Sequence, residues 1–484
     1  MKKVIKLIIA IIMLALSLLC FKYVSDMDIL PSKYLYLFLI IILALNGISI
    51  LLLFIKGIIS KIFSGILYIL LAIISIVGIK YSKDTINFLD NSFSNNKEVI
   101  TYNVIVSSNS TITKIEDLNN TIMGYLFLDI DDDSYLEKIK EKVSVELKET
   151  DIYGIYDGLL NNEINSILIN EAYLDMLEEE YKDFNEKTKV IYSFNIEKEK
   201  EEEKEVIEKL EPINIYLSGS DSRSGYISAS SRSDVNMILT INPNTHTILL
   251  TNIPRDYYVQ LHGTTGLKDK LTHAGIYGTD MSIKTIEDLL DIKINYSVKV
   301  GFSSVIKLVD LVGGVDIYSD TAFTSHCKDK FAERVKVFVG MNHFTGAQAL
   351  SYARERYAYI DGDNHRGRNQ QQVIEAVLKK VMTNKSLLLK YDSLLSSFSD
   401  LYITDIPKEL ITMLIKQQLE DMSSWEVISQ QVTGYGATAQ TYSMPGWNLY
   451  VMIPDTNSVE TAVSKIKEVI NPTEQIVEEN LIEN

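Results

Sequence analysis

The chain has 484 residues, enough for two globular domains besides a membrane region, and a formal net charge of −17. Residues 1–83 carry +7, which leaves −24 for the remainder. So acidic a remainder excludes a nucleic-acid-binding role, because nucleic-acid phosphates require a basic surface. With only two cysteines, Cys20 and Cys327, the chain has neither a disulfide framework nor a CxxC-type metal site.

Three apolar segments open the sequence, at residues 4–21, 34–55 and 62–79, and each has about the ~20 residues that cross a hydrocarbon core. The first could be read as a signal peptide, but no A-x-A-like cleavage site follows it and two further spans come directly after. Lysines precede the first segment and fill the loop between the second and third segments. The positive-inside rule therefore places the N-terminus and this loop on the cytoplasmic side. We predict a multi-pass membrane domain over 1–83, with a cytoplasmic N-terminus and all later residues outside the cell.

Strand and helix patterns alternate in the next part of the chain, which predicts a small α/β accessory domain over 84–200. The strand patterns lie at 102–108, 121–129, 164–170 and 188–196, and the helix patterns at 114–120, 134–145, 153–162 and 171–181. A highly charged run follows and ends at Pro212. We interpret this run, residues 197–212, as a solvated helical linker, with the boundaries of the linker between the domains placed at 201–212.

After Pro212, strand patterns at 213–217, 235–241 and 247–253 are joined by a long loop and a tight turn. In an antiparallel meander, the end of the first strand, the start of the second and the end of the third lie at one edge. That edge would collect the charged residues of these connections: Asp221, Arg223, Arg232, Asp234 and Arg255.

Helix patterns dominate the rest of the chain, at 303–312, 345–354, 365–382, 386–398 and 406–421. A strand at 449–453 and an amphipathic helix at 457–470 precede an acidic tail. We predict one α/β catalytic domain over 213–455, followed by a C-terminal helix and tail over 456–484.

Arginine usage is the strongest clue to chemistry, because only eight of the 47 lysines and arginines are arginines and all eight lie between 223 and 368. Arginine retained in a lysine-rich chain indicates a need for the planar fork that grips phosphate or carboxylate bidentately. A set of structural arginine–carboxylate pairs is the alternative. Among these arginines, Asp221 and Asp234 offer hard oxygen ligands suited to Mg²⁺ or Mn²⁺ bridging phosphate oxygens. Each could instead cap a loop or pair with an arginine.

Other site chemistries find no support in the sequence. The six histidines lack the i, i+4 spacing of metal ligands, so we interpret them as non-ligands. No G-x-S-x-G, H-E-x-x-H or G-x-x-x-x-G-K-[ST] motif occurs, which argues against a hydrolase triad, a zincin and a P-loop.

Seven short motifs follow one another over the region that holds the arginines. They are GSDSR (219–223), RSD (232–234), PRD (254–256), KLTHAG (270–275), VDLVGGVD (309–316), YARER (352–356) and DGDNHRGRNQ (361–370). In this order they resemble the LytR-CpsA-Psr family, strongly over 213–382. The three spans, the accessory domain and SMPGWNLYVMIPD (443–455) resemble its CpsA-like branch.

The resemblance implies a mixed β-sheet core flanked by helices and a phosphotransferase that acts in cell-wall assembly. Such an enzyme transfers a glycopolymer, capsular polysaccharide or teichoic acid, from undecaprenyl pyrophosphate to peptidoglycan. The implied partners are the polyprenyl-pyrophosphate-linked glycopolymer, the peptidoglycan acceptor, the membrane and the capsule or teichoic acid assembly machinery. The implied cofactor is Mg²⁺ or Mn²⁺.

Carried over by motif, Asp221 and Asp234 would hold the metal ion. The pyrophosphate would be held by these side chains: Arg232, Arg255, Arg354, Arg356, Arg366 and Gln370. Arg255 would stabilise the transferring group, and Asp363 or Asp234 would act as the base.

Two departures from the family pattern leave some roles open. Thr272 stands where the family has asparagine, and Asn369 stands where a second arginine precedes Gln370. The roles of Lys270, Arg368 and Asn369 are therefore not assigned. Two other functions also remain open, a regulator that senses lipid-linked intermediates without turnover and a metal-dependent lipid pyrophosphatase.

Overall fold

The computed structural model describes residues 2–93, 97–126, 134–199, 207–220, 227–228, 230–326, 333–383 and 402–472. Its membrane domain consists of α1 (Lys2–Asp26), α2 (Ser32–Phe54) and α3 (Ile58–Phe93). Each helix is long and apolar enough to cross a membrane, as the sequence predicts. The third helix continues past residue 83, so the predicted domain boundary falls within a helix.

The accessory domain is built on a five-stranded mixed sheet of order β3-β2-β4-β1-β5. Its strands are β1 (Lys97–Ser107), β2 (Ile122–Leu126), β3 (Glu146–Thr150), β4 (Ser166–Asn170) and β5 (Thr188–Glu199). Its helices are α4 (Ser134–Lys140), α5 (Ile152–Leu160), α6 (Glu171–Glu180) and α7 (Phe184–Lys187). The predicted α/β domain is confirmed. Strand β3 was missed because it lies at a sheet edge and none of its residues is buried, which leaves no apolar alternation to detect.

The helical linker prediction is wrong where the structure describes it. Residues 197–199 continue β5, and residues 207–212 contain no helix. The extended part of β1, Lys97–Val99, supplies the pairing partners of residues 197–199. This pairing overrides the helix preference of the glutamates and lysines. Residues 200–206 lie outside the described part of the chain.

A six-stranded mixed sheet of order β16-β11-β6-β7-β8-β17 forms the centre of the domain that the resemblance predicts to be catalytic, and we keep the name catalytic domain for it. Its strands are β6 (Ile213–Ser220), β7 (Val235–Asn242), β8 (Thr247–Ile253), β11 (Tyr296–Gly301), β16 (Tyr402–Thr404) and β17 (Glu426–Gln431). The antiparallel meander β6–β7–β8 is confirmed, while β11 runs parallel to β6 and β17 parallel to β8.

Shorter strands pair beside the central sheet. They are β9 (Tyr258–Val259), β10 (Asp269–Lys270), β12 (Val315–Ser319), β13 (Phe323–Thr324), β14 (Lys336–Val337), β15 (Gly340–Phe344), β18 (Gly434–Ala439) and β19 (Leu449–Pro454). Helices cover both faces of the sheet, which confirms the predicted fold class. They are α8 (Leu271–Ala274), α9 (Thr279–Leu290), α10 (Phe302–Leu311), α11 (Gly346–Arg354), α12 (Asp363–Thr383), α13 (Lys408–Asp421) and α14 (Thr456–Ile470).

The C-terminal helix α14 belongs to the catalytic domain. Its Ala462 and Ile466 are buried with Tyr216 of β6 and Leu249 of β8 in one core cluster. Burial of this kind supplies the main favourable term in folding, so the predicted boundary at residue 455 is wrong. The helix pattern at 386–398 and the acidic tail from residue 473 onward lie outside the described residues.

Candidate active site

The predicted edge of the sheet brings charged side chains together. The backbone N–H of Asp234 donates to the carbonyl of Gly219 at 2.7 Å, so Asp234 lies at the end of β6. Arg255, just after β8, donates from Nη1 to Oδ1 of Asp234 at 2.6 Å. The sequence-based prediction for this pair is confirmed. Asp221 and Arg223 lie outside the residues that the structure describes.

The KLTHAG motif supports the segment that leads into Asp234. The backbone N–H groups of Ser231 and Ser233 donate to the carbonyls of Gly275 and Thr272 at 3.0 and 3.1 Å. A Cβ on Gly275 would lie 2.4 Å from the carbonyl oxygen of Ser231, so only glycine permits this approach. Thr272 also donates its N–H to the carbonyl of Arg255 at 2.8 Å. Because these are backbone contacts, threonine makes them as well as the asparagine of the family pattern would.

A second group of charges faces the first from α12. Arg366 Nη2 lies 3.2 Å from Asp363 Oδ2, and Asp363 Oδ1 lies 3.9 Å from Arg356 Nη1. Gln370 follows Arg366 by four residues, so these positions share one face of the helix with Asp363. Arg366 also lowers the pKa of Asp234 through its charge, which connects α12 to the sheet edge.

Electrostatics keep Asp234 ionised. Burial alone would raise its pKa, but the charges of Arg255, Arg232, Arg366 and Arg354 outweigh burial and hold the pKa below its ordinary value. The charges of Arg232, Arg255, Arg354 and Arg366 therefore act on a single carboxylate, which Arg255 contacts directly.

Asp256 and Asp363 form a pair of interacting carboxyl groups that sequence reasoning missed. Burial opposes ionisation of Asp256, yet Arg255 and Lys270 lower its pKa to about 2. Lys270 Nζ lies 3.2 Å from Asp256 Oδ1. Burial raises the pKa of Asp363, and neighbouring Asp256 raises it further although Arg366 opposes both. Thus one carboxyl of the pair is ionised and the other retains its proton to a higher pH.

The YARER motif aims two arginines from the end of a helix. Helix α11 ends at Arg354, and Glu355 has an extended backbone with φ −70° and ψ 130°. The guanidinium of Arg354 lies 4.2 Å from the Phe302 ring centroid, and Arg356 Nη2 donates to the Tyr357 hydroxyl at 2.7 Å. On a continuing helix, side chains two residues apart would diverge by roughly 200°. The extended residue between them avoids this divergence.

Glu355 has a structural part in this arrangement. Its buried carboxylate accepts the backbone N–H groups of His326, Tyr357 and Ala358 at 2.5, 2.7 and 3.1 Å. Burial raises the pKa of Glu355, but these hydrogen bonds lower it below its ordinary value. Glu355 thereby fixes the loop that follows Arg356.

Arg368 and Asn369 lie outside the charged cluster. Arg368 hydrogen-bonds Asp361 and His365, and its side chain is 46% exposed. Asn369 is buried and donates to the carbonyl of Tyr352 at 3.1 Å. The second departure from the family pattern therefore falls on packing and surface positions rather than on the site.

Each of the six histidines lies within 3.3 Å of a carboxylate. The pairs are His246–Asp421, His262–Asp288, His273–Asp269, His326–Glu355, His343–Asp316 and His365–Asp361. Within the described ranges no three His, Cys, Asp or Glu side chains form a metal-ligand group. Asp234 still fits Mg²⁺, because this ion is usually held by one or two carboxylates while phosphate oxygens and waters complete its shell.

Among the residues that the structure describes in this cluster, cations outnumber carboxyls by six to three. The cations are Arg232, Arg255, Arg354, Arg356, Arg366 and Lys270, and the carboxyls are Asp234, Asp256 and Asp363. A half-buried site with this surplus attracts a polyanion, and five guanidinium groups suit phosphate oxygens in particular.

Comparison with known proteins agrees with this chemistry. Residues 178–462 match the LytR_cpsA_psr family. Over 217 residues the chain is 38% identical to a Bacillus cereus protein named polyisoprenyl-teichoic acid–peptidoglycan teichoic acid transferase TagU, covering 45% of this chain and 65% of that protein. An Enterococcus faecalis protein of the same name is 32% identical over 197 residues, covering 40% and 62%. The chain thus spans less than two thirds of either relative.

A similar solved structure is Bacillus subtilis TagV. It aligns with a TM-score of 0.45 and 27% identity over 54% of this chain and 98% of that one.

Proposed function

Since this chain belongs to the LytR-CpsA-Psr family, we propose that it transfers a glycopolymer from a polyprenyl pyrophosphate carrier to peptidoglycan. The observation that carries the proposal is the cluster of ion pairs that Arg255 forms with Asp234 and that Arg366 and Arg356 form with Asp363. The charges of Arg232 and Arg354 act on the same Asp234 carboxylate. Phosphoryl transfer depends on positioning and charge neutralisation more than on a covalent intermediate. A pyrophosphate is the polyanion that this group of arginines suits.

Each part of the cluster has a role in such a reaction. The acceptor hydroxyl oxygen attacks the sugar-linked phosphorus, a new P–O bond forms, and polyprenyl phosphate leaves with the electron pair of the broken P–O bond. Arg255, Arg354 and Arg366 neutralise the charge that develops on the phosphate oxygens. Mg²⁺ or Mn²⁺ held through Asp234 would supply further positive charge there. Ionised Asp363 accepts the hydroxyl proton, and its raised pKa makes it a stronger base than an ordinary aspartate.

Contacts with the membrane domain favour an extracellular catalytic domain. Lys416 Nζ of α13 lies 2.8 Å from Asp28 Oδ1 in the α1–α2 loop, and Lys33 Nζ donates to the Glu420 carbonyl at 2.7 Å. Lys408 pairs with Asp90 near the end of α3 at 2.5 Å. The catalytic domain therefore lies at the end of the bundle opposite the lysine-rich α2–α3 loop, which the positive-inside rule assigns to the cytoplasm.

Impermeant thiol labelling of intact cells tests this topology. In a Cys327→Ser background, Glu163→Cys should label before lysis, since the Glu163 side chain is 61% exposed in the accessory domain. Lys56→Cys, in the α2–α3 loop, is the matched control and should label only after lysis. Labelling of Glu163→Cys after lysis alone would refute the extracellular placement.

The names of the relatives favour teichoic acid over capsular polysaccharide as the polymer, and we propose undecaprenyl as the lipid. The test uses the full chain in lipid nanodiscs with a polyprenyl-pyrophosphate-linked oligosaccharide, Mg²⁺ and a peptidoglycan glycan acceptor. We expect oligosaccharide joined to the acceptor through a phosphodiester. Release of sugar phosphate to water alone would indicate a pyrophosphatase, and binding without product would indicate a sensor. Either result contradicts the proposal.

A further inference from the structure

The segment that leads into Asp234 is in contact with the accessory domain. Ser228 Oγ donates to the carbonyl of Val99 in β1 at 3.2 Å. Asn170, at the end of β4, donates from Nδ2 to Ser230 Oγ at 3.1 Å. Asn170, Ser228 and Ser230 are at most 4% exposed. These residues form a buried polar contact between the two domains, which we name the interdomain seam.

Residues 230–234, the site segment, run from this seam to the charged cluster. Ser230 Oγ donates onward to the carbonyl of Ile276, so its position depends on both domains. Ser231 and Ser233 are buried, at 6% and 1% exposure. Arg232 and Asp234, which alternate with these two buried serines, are only partly buried, and both belong to the charged cluster.

The SMPGW motif (443–447) contacts the accessory domain at a second place. The Tyr153 ring packs edge-on against Trp447 with centroids 4.2 Å apart, and the Tyr153 hydroxyl accepts the Trp447 N–H at 3.1 Å and donates to the Pro445 carbonyl. In the same loop, the Ser443 N–H donates to Asp269 Oδ2 at 2.8 Å. The accessory domain is therefore held against the catalytic domain at two places.

We propose that Asn170 is a positioning residue through which the accessory domain holds the site segment, so that Arg232 and Asp234 face the charged cluster. Asn170 touches no reacting atom and acts only through Ser230. The catalytic consequence rests on the proposed function, whereas the fixed geometry of the segment does not. The accessory domain thereby becomes part of the active-site scaffold.

The side chain of Asn170 makes two separable contacts. Its Oδ1 accepts the N–H of Ala172 at 2.7 Å and caps α6, while its Nδ2 makes the link to Ser230. Serine caps a helix about as well as asparagine does, but it is too short to supply the second donor. Asn170→Ser therefore removes the link and retains the cap.

Hydrogen exchange on the full chain in nanodiscs, without metal or substrate, tests the link directly. In Asn170→Ser we expect the Ser231 and Ser233 amides to exchange about 3- to 10-fold faster, the factor expected for one neutral hydrogen bond. The Ala172 amide should exchange at its original rate because the cap remains. We also expect kcat/KM to fall by a similar factor and half-saturation by Mg²⁺ to move upward, with excess Mg²⁺ restoring part of the loss.

Ser193→Ala is the matched control, because Ser193 Oγ donates to Asn103 Oδ1 at 2.7 Å within the accessory domain. It should lower stability without changing Ser231 or Ser233 exchange or the Mg²⁺ dependence. Unchanged exchange in Asn170→Ser, or equal acceleration in Ser193→Ala, would overturn the proposal. If the unaltered protein forms no product, the proposed function fails, while the exchange result still decides the role of Asn170.

Discussion

The two ends of the central sheet carry charged side chains in opposite ways. At the site end, Arg255 and Asp234 are 12% and 16% exposed and belong to a connected cluster. At the other end, α13 lies against the β7–β8 turn through a Gln417–Pro243 hydrogen bond. Lys416 of α13 and its partner Asp28 of the α1–α2 loop are 33% and 73% exposed. Strand β7 has 8 residues, so about 27 Å separates the two ends at ~3.4 Å per residue.

The difference in burial explains why charged side chains at the two ends of the sheet should differ in their importance for function. Removing charges from water costs several kcal/mol per ion, so a buried cluster with surplus positive charge is not maintained for stability alone. Exposed pairs cost little to form and contribute little, roughly 0–1 kcal/mol. The comparison therefore predicts large functional effects at the site end and small ones at the membrane end.

The largest effect is expected for Asp234→Ala. Loss of this carboxylate removes the proposed metal ligand and leaves four arginines without their shared counter-charge, so Mg²⁺-dependent turnover should fall by about 100- to 1000-fold. The protein should stay folded, because Asp234 lies at the end of β6 and not in the hydrophobic core. Circular dichroism and turnover with and without chelator provide the measurement.

Asp316→Ala is the control for this variant, since Asp316 pairs with His343 and Lys380 on the surface and is 46% exposed. Its turnover should change by less than about twofold. Activity of Asp234→Ala equal to that of the unaltered protein, or full activity of the unaltered protein in chelator, would contradict a metal role for Asp234.

The next largest effect is expected for Arg354→Lys, which tests whether the site requires the guanidinium fork and not only a positive charge. Lysine keeps the charge but loses the fork and the stacking on Phe302, so one charge-assisted hydrogen bond of about 1.5–3 kcal/mol is lost. We expect kcat/KM to fall by roughly 10- to 150-fold with little change in Tm. Arg368→Lys is the matched control on the outward side of α12 and should stay within about twofold. An Arg354→Lys protein that is unstable yet fully active would remove Arg354 from the site.

Those parts of the site that depend only on strand order and on helix boundaries could be predicted from the sequence. The meander placed Asp234 beside Arg255, and the helix pattern at 345–354 predicted the end of α11 at Arg354. Both inferences depend only on strand order and helix period.

What the sequence could not predict depends on contacts between distant segments. Asp256 directly follows Arg255, but its interaction with Asp363 appears only when α12 packs against the sheet. Glu355 reads as an ordinary acidic residue until three backbone N–H groups converge on it. The PRD and YARER motifs drew attention to both positions, although neither motif indicates which role each carboxylate has.

The variant Asp256→Asn tests the site end of the sheet through the pH dependence of kcat/KM. In the unaltered protein Asp363 has a raised pKa because of burial and the Asp256 charge. Removing that charge should lower the pKa of Asp363, so the acid limb of the kcat/KM profile should move to lower pH. Asp316→Asn should leave the limb in place. A limb that stays at its original pH in Asp256→Asn would exclude Asp363 as the titrating base.

The free energy of unfolding should also depend on pH, and here the cause is the lowered pKa of Asp256 rather than the raised pKa of Asp363. The folded-state pKa of Asp256 is lowered from 3.8 to about 2, so its contribution to stability is present above about pH 4 and is lost as pH falls towards 2. The stability difference between the unaltered protein and Asp256→Asn should therefore shrink over that window. Urea unfolding at several pH values measures it.

The smallest effect is expected at the membrane end, for Lys416→Ala, Asp28→Ala and the double variant. The Lys416–Asp28 pair is exposed on both sides and screened by salt, so a double-mutant cycle should give a coupling free energy of about 0.2–1 kcal/mol that falls as salt rises. Turnover should stay within about twofold, because β7 separates this pair from Asp234 by the length of the sheet. A coupling above about 2 kcal/mol, or a turnover loss comparable to that of Arg354→Lys, would show that the membrane contact positions the catalytic domain. The two ends of the sheet would then differ only in their distance from the reacting groups. Burial of a charged side chain would no longer indicate that it has a functional role.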